Sequence, residues 1–357
     1  MSYYNYDEIV TAVHLLAQDH PDLTTLIELP NLTEQSRASY ALSIGRKRAG
    51  ETSTVMVLGG VHAREWVPPD ALTSLAADIL GAAQSGTGLA YGGAVFSATE
   101  IAAILDGVQL ILFPCVNPDG RVYSQTVDNN WRKNRSVNSV NAVGVCHGVD
   151  LNRNFDILWD FEDHFLPGSV ASSSDPCHPT LYAGASANSE PETRNVIWLL
   201  DNFPGTGWFV DVHSFIPGVL HSWGLDQNQS DEPDQNFRNP VFDGKRGAPN
   251  DDYGEFLPLA DAGRLQGLSC IMRDAATDVA GDIYDAMPAF NLYATSGASD
   301  DYAYSRHYTD ENRAKILGFT IECGREFQPD EGIRVQNIKE ICASILALLR
   351  EATRGTS

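Results

Sequence analysis

Short apolar runs alternate with amphipathic stretches along almost the whole chain. The segments "YALSIGRK", "TVMVLGGV" and "VQLILFPCV" are short, β-rich and closed by Gly, Pro or polar residues, which predicts strands. "GWFVDVHS" (207–214) and "ILGFTIEC" (316–323) read as buried strands. Helical spacing appears over 68–83, where proline opens the segment and Gly81 lies near its end. It recurs over 97–107, where Ser97 and Glu100 form a capping box, and over 188–203, capped by Asn or Ser with acidic residues in its first turn. A last helix over 334–351 places Val335, Ile338, Ile341, Cys342, Ile345 and Leu349 on one face. Strands alternating with helices predict an α/β fold, a mixed parallel and antiparallel twisted sheet sandwiched between helices. Two stretches, 117–187 and 224–253, are rich in Asn, Ser, Gly, Asp or Pro and read as long loops of the kind that shape a site. No linker divides the chain, so residues 1–357 are expected to form a single domain.

Composition narrows this picture. At 357 residues and 43% hydrophobic, the chain can bury a large core. A net charge of −23 argues against nucleic acid or an anionic membrane as partner. The acidity has two readings, attraction of basic substrates or general solubility. No apolar run is long enough to cross a membrane, and "MSYYNYDEIV" has no basic or apolar leader. Six cysteines without a C-x-x-C pair exclude a cysteine-rich zinc site but leave room for one or two disulfides.

The chemistry concentrates at strand ends. "GGVHAREW" places His62 and Glu65 three residues apart just after an apolar strand. They are either two metal ligands or two polar residues on a turn. Catalytic zinc takes three protein ligands, commonly His and carboxylate, and keeps one position open. His213 closes the apolar run "FVDVH" and is the best candidate for the third, since sites in α/β sheets gather at the carboxyl ends of strands. Glu322 lies inside the apolar "FTIECG". A carboxylate there is either a general base or a salt-bridged core residue. "WRKNR" and "LNRNF" add Arg and Asn in the polar region, and Arg suits bidentate binding of a carboxylate.

The motifs "HAREW", "NPDGR", "NNWRKNR", "GVDLNRNF", "ANSEPET", "DVHS", "LYATSGASDDY" and "FTIECG" occur in an order that resembles the zinc metallocarboxypeptidases of the funnelin family, the A/B-type branch and its bacterial relatives. The resemblance covers roughly residues 5 to 350 and implies a single catalytic carboxypeptidase domain with one Zn2+ per chain. It implies an enzyme that hydrolyses the last peptide bond of peptides or proteins. By motif, His62, Glu65 and His213 match the zinc ligands. Glu322 matches the catalytic glutamate that activates the attacking water, and Arg132 the residue that polarises the scissile carbonyl. Asn152 and Arg153 match the pair that holds the substrate's C-terminal carboxylate, and Tyr293 the mobile tyrosine that closes over it. Arg64 matches a position lining the groove. Asp300 matches the base of the pocket for the terminal side chain, where an Asp goes with Lys or Arg. Gly224 matches a position where basic-specific members carry Gly. The expected preference is therefore C-terminal Lys or Arg, or dual basic and apolar specificity; the other reading is that Asp300 only caps a turn. Pro288 departs from strictly basic-specific members, and Asn129 stands where pancreatic members carry a second Arg. The stretch from Asp301 to Glu322 is longer than in pancreatic enzymes.

The resemblance also pairs Cys146 with Cys177 and leaves Cys115, Cys270, Cys323 and Cys342 unassigned. It implies a monomer that is secreted, with a cytoplasmic location as the alternative, and that encounters a pro-segment or protein inhibitor. Two rival readings remain at this stage: a related zinc amidase or deacylase, and a non-catalytic binding module.

Overall fold

The computed structural model describes residues 3–46, 53–141, 144–227, 229–249, 251–279 and 281–354. In chain order the principal elements are α1 (Tyr6–Asp19), β1 (Thr24–Glu28), β2 (Tyr40–Ile44), β3 (Ser53–Gly59), α2 (Val67–Ser85), α3 (Ala98–Gly107), β4 (Val108–Phe113), α4 (Pro118–Thr126), α5 (Pro191–Asn202), β5 (Thr206–His213), β6 (Gly218–His221), α6 (Leu259–Thr277), β7 (Asp285–Pro288), α7 (Ser299–Thr309), β8 (Leu317–Glu322) and α8 (Glu331–Arg354). The expected strand at "YALSIGRK" ends at Ile44, and Lys47 lies outside the described residues.

Eight strands form one mixed sheet in the order β1-β2-β4-β3-β5-β8-β6-β7. The centre, β4-β3-β5-β8, is parallel, and antiparallel pairings begin at β2 and β6. Helices cover the faces, so the central strands are apolar on both sides: every residue of β3 after Ser53 is buried. This is the mixed α/β sandwich that the strand–helix alternation predicts.

The helix ends show where sequence signals worked. Ser97 and Glu100 form the expected capping box on α3. Gly81 does not end α2, which runs on to Ser85 and stops at Gly86 in a left-handed conformation, φ 66°. Helix α5 starts at Pro191 with Glu190 as its N-cap and no side-chain cap, so neither Asn188 nor Ser189 does that job. In α8, Ile341, Cys342, Ile345 and Leu349 are fully buried, each aliphatic side chain contributing about 1.5–3 kcal/mol of burial. Val335 is 40% exposed and Ile338 only half-buried. The first turns of α8 instead bury polar groups: Arg334 on Asp70, and Asn337 and Glu340 with Tyr284. These tertiary polar contacts take the place of the apolar stripe there.

Residues 117–187 are not one open loop. They hold α4, capped by Asn117 with Pro118 at its first position, and a hairpin of Val137–Asn141 with Gly144–His147. A Cys146–Cys177 disulfide, Cα–Cα 5.0 Å, ties that hairpin to the following segment. Cys115, Cys270, Cys323 and Cys342 remain thiols. Segment 224–253 is largely irregular, with one two-residue strand and one turn of 3-10 helix. Among the described residues, no helix is long and apolar enough to cross a membrane.

One glycine bears directly on the site. Gly297 has φ +62°, and a Cβ there would lie 2.3 Å from the Arg153 carbonyl oxygen. Gly297→Ala should therefore lower stability by about 2–3 kcal/mol, read as a reduced denaturant midpoint at unchanged m-value.

Candidate metal centre and substrate cleft

The parallel strands β3, β5 and β8 end side by side. Glu322 is the register partner of His213, and Gly59, three residues before His62, partners Val212. The local sequence folds this way because "VMVLGG" is buried on both faces to its end. Gly60, at φ 69°, then turns the chain so that His62 and Glu65 point back over the sheet edge.

His62 Nδ1 lies 2.8 Å from Glu65 Oε1, His213 Nδ1 lies 3.0 Å from Glu65 Oε2, and the two Nδ1 atoms are 3.0 Å apart. All three side chains are buried. Zinc bonds of about 2.0–2.1 Å at tetrahedral angles place ligand atoms roughly 3.3 Å apart, so this donor set matches such an ion in type, number and spacing. The remaining ring nitrogens face carboxylates: His62 Nε2 is 3.2 Å from Asp150 Oδ1, and His213 Nε2 is 3.0 Å from Asp211 Oδ2, although not aligned for a hydrogen bond. A carboxylate behind each histidine orients the ring and raises its basicity toward a metal.

The charge balance points the same way. Burial alone would raise the Glu65 carboxyl, but His62 and His213 outweigh it and hold the group well below the usual range. Burial opposes protonation of His213, yet Asp211 and Glu65 lift it well above its ordinary value. Burial pushes Glu322 up to about 8; His213 pulls it down, and Glu65 adds to the rise. Glu65, Asp150, Asp211 and Glu322 thus crowd one buried spot, where Arg132 is the guanidinium in contact with Asp150 and Glu65. A divalent cation would relieve that surplus. Glu322 Oε2 is buried with no hydrogen-bond partner, which leaves it available to a reactant.

Asp150 fastens the next group. Its Oδ2 accepts from Arg132 Nε at 2.9 Å and its Oδ1 from the Asn152 amide at 3.2 Å. Burial alone would lower the Arg132 pKa, but Asp150 more than offsets it and the net shift is upward. Arg132 also stands 4.0 Å from Glu65, at the edge of the metal cluster.

Beyond Asp150 a single turn of 3-10 helix, Leu151–Arg153, carries Asn152 and Arg153. Asn152 Oδ1 accepts the Ser299 amide at 2.8 Å, so its Nδ2 is turned the other way. Arg153 is buried, with Nε on the Ala171 carbonyl and Nη1 on the Asn152 carbonyl, while its Nη2 has no partner. Its guanidinium lies 5.7 Å from the Tyr293 ring, and Tyr293 is 43% exposed. An unpaired buried guanidinium edge beside an exposed tyrosine is the chemistry that accepts a carboxylate.

Asp300 and Asp301 are buried in the first turn of α7. Asp300 accepts from Thr320 Oγ1 at 3.1 Å and from the Asp301 amide at 3.0 Å, both neutral donors, and burial raises its carboxyl. Asp301 accepts the Gly224 amide at 2.9 Å. A Cβ on residue 224 would lie 2.4 Å from Thr295 Oγ1, so Gly224 serves close packing against the Thr295 and Asp301 side chains. Arg64 stacks 4.2 Å over the Phe327 ring; burial, then Arg132, lowers its pKa. Pro288 sits in edge strand β7 opposite His221, and the Asn129 carbonyl accepts from Gln328.

The motif reading did not assign Asp150, Asp211 or Ser299, whose Oγ donates to Asp211 at 2.6 Å. Asp211 had a signal, because it is an acid inside the apolar "FVDVH", the same anomaly that marked Glu322. Asp150 and Ser299 lie in polar segments where neither pattern nor burial is visible.

Fold and site together define a metallohydrolase centre built at the carboxyl edge of a mixed sheet. A family model described as zinc carboxypeptidase matches residues 9–343, and the chain belongs to that family. It is a metallocarboxypeptidase, and zinc is the cofactor its family implies. Carboxypeptidase B of Astacus astacus is 30% identical over 304 residues, 85% of this chain and 82% of that protein. Zinc carboxypeptidase A 1 of Drosophila melanogaster is 30% identical over 311 residues, covering 85% of this chain but 58% of the fly protein. The solved carboxypeptidase A of Helicoverpa armigera superposes with a TM-score of 0.72 at 24% identity, over 99% of this chain and 74% of that one, a likeness of fold.

Asp150→Asn should weaken zinc binding about 10–100-fold, measured by competition with a chromophoric chelator. Unchanged affinity would show that the Asp150–His62 contact does not support the metal.

Proposed function

We propose that the site removes C-terminal residues, with a preference for Lys or Arg or with dual basic and apolar specificity. The observation that carries the mechanism is the convergence of His62, Glu65 and His213 beside the unpaired Glu322 carboxylate. Zinc held by the three ligands would supply Lewis acidity toward the last peptide carbonyl and acidify a water beside it. The other groups work as follows. Arg153 Nη2, with Asn152, grips the terminal carboxylate and admits only a free C-terminus. Tyr293 closes over the bound residue, consistent with its exposure. Arg132, held by Asp150, places fixed positive charge where the carbonyl oxygen becomes anionic. Glu322 takes the proton of the attacking water and returns it to the leaving amine.

One observation supports the basic preference. Asp300 is a buried carboxylate with neutral partners, and a terminal ammonium or guanidinium would supply the missing charge. The curated relative named carboxypeptidase B fits this reading. The continuous eight-stranded sheet supports one catalytic domain, and the Cys146–Cys177 disulfide supports an oxidising, extracellular setting.

Glu322→Gln is expected to cut turnover of benzoyl-Gly-Arg by about 10²–10⁴-fold while metal analysis still finds zinc; full activity would remove Glu322 from the mechanism. Asp300→Ala should lose most turnover of C-terminal Arg and keep that of C-terminal Leu or Phe. Unchanged Arg turnover would show that Asp300 does not set the pocket. An amidated benzoyl-Gly-Arg should resist cleavage; equal rates would favour an amidase instead.

A further inference from the structure

A second cleft of about 680 Å³ opens next to the metal centre. It is lined in part by Arg64, Tyr123, Trp131, Lys133, Arg135 and His147. Segment 131–135 divides its cations between the two places. Arg132 turns inward to Asp150, while Trp131, Lys133 and Arg135 face the cleft. Arg64 lines the same cleft from the residue beside Glu65. The cleft is therefore continuous in sequence and in space with the edge of the catalytic site.

Its charge is opposite to that of the protein. Three lining residues are cationic and only Asp128 among them is acidic, in a chain of net charge −23. Asp128 forms no ion pair with them within 4 Å, and its Oδ1 accepts the Asn130 amide. The guanidinium of Arg135 is held flat, 3.7 Å over the Tyr123 ring and 4.6 Å from Trp131. Stacking of this kind fixes the plane and leaves the in-plane N–H donors for a ligand. The Nε atoms of Arg64 and Arg135 and Nδ1 of His147 are all buried without a hydrogen-bond partner. Lys133 Nζ donates to the His178 carbonyl rather than to a carboxylate. Burial lowers the pKa of Arg135, and it brings Lys133 to about 8. These cations have lost water and, among the described residues, no carboxylate pairs with them within 4 Å; Glu65, Asp150, Asp175 and Asp119 act on them only from farther away, so an incoming carboxylate would find donors already ordered and partly desolvated.

We propose that this cleft binds acidic side chains of the peptide substrate upstream of the scissile bond, making the protein a carboxypeptidase that favours acidic segments before its cleaved residue. The proposal rests on the carboxypeptidase reading of the adjoining site. General electrostatics predicts the reverse preference, since a protein this acidic repels acidic peptides.

The test compares two longer peptides with the same C-terminal Gly-Arg, one with Glu and the other with Gln at the upstream positions, alongside benzoyl-Gly-Arg, which is too short to enter the cleft. In the native zinc enzyme at low ionic strength, the Glu peptide should have a kcat/KM higher by about tenfold, expressed in KM, and high salt should erase the difference. Arg135→Gln should bring the ratio near one and leave benzoyl-Gly-Arg turnover unchanged, while Arg135→Lys should keep most of the preference. Equal kcat/KM for the two peptides in the native enzyme would overturn the proposal, as would a Glu preference that survives Arg135→Gln. If inorganic phosphate changes benzoyl-Gly-Arg turnover and the two peptides behave alike, the cleft is a free-anion site and the proposal fails. Should Arg135→Gln not fold, the native ratio with its salt dependence and His147→Ala decide the matter. Failure to cleave benzoyl-Gly-Arg at all would instead refute the carboxypeptidase reading.

Discussion

The Asp150 carboxylate is the joint on which the site turns. One oxygen meets His62 and the Asn152 amide, and the other meets Arg132. A candidate metal-ligand histidine, the Arg132 guanidinium and the turn presenting Asn152 and Arg153 are thereby held by a single buried side chain. Asp150 is fully buried, and burial alone would raise its carboxyl, but Arg132 and then His62 more than offset this and hold it well below the usual range. Removing one partner of such a buried pair leaves an uncompensated charge, which costs about 3–5 kcal/mol. The same contact that keeps the fold together here therefore keeps three chemical groups in register.

This economy explains the strained electrostatics at the sheet edge. Three strand ends deliver His62, His213 and Glu322 to one place, and each histidine has a carboxylate behind it. Protein cations answer only part of that negative charge. A fold selected for stability alone would not gather four acids at one spot, since unpaired buried charge is costly. The arrangement makes sense as a preformed seat for a divalent ion and for a base that must not be committed to a structural hydrogen bond.

The central architecture was legible because the parallel strands are buried on both faces and read as plain apolar runs bounded by turn residues. The candidate ligands His62 and His213 were legible because they follow or end such runs. What stayed hidden depends on contacts between distant segments. Nothing local in "PDLTTLIEL" distinguishes β1 from a loop, and α6 carries two glycines in its interior. The apolar stripe read from α8 failed in its first turns because Asp70 and Tyr284 supply tertiary partners for Arg334 and Glu340 there. Asp150 and Ser299 act through partners on other elements, His62 and Asp211, and no spacing rule reveals that.

The arginines illustrate the same limit. Arg121 is saturated by the Tyr4 carbonyl and Asp70, and Arg246 by Asp243, Tyr253 and two carbonyls, so their burial is structural. Arg153, Arg64 and Arg135 each keep a buried nitrogen without a partner. So does Arg306, which pairs with Asp201 beside Arg313, far along α7 from the Ser299 end of the helix. An orphan donor is thus a weak sign by itself, because Arg306 has an acid to balance its charge. It becomes informative where orphan donors converge on a shared space and no acid answers them. In this chain that happens beside Tyr293 and in the cleft under Trp131, on either side of the arginine that Asp150 holds.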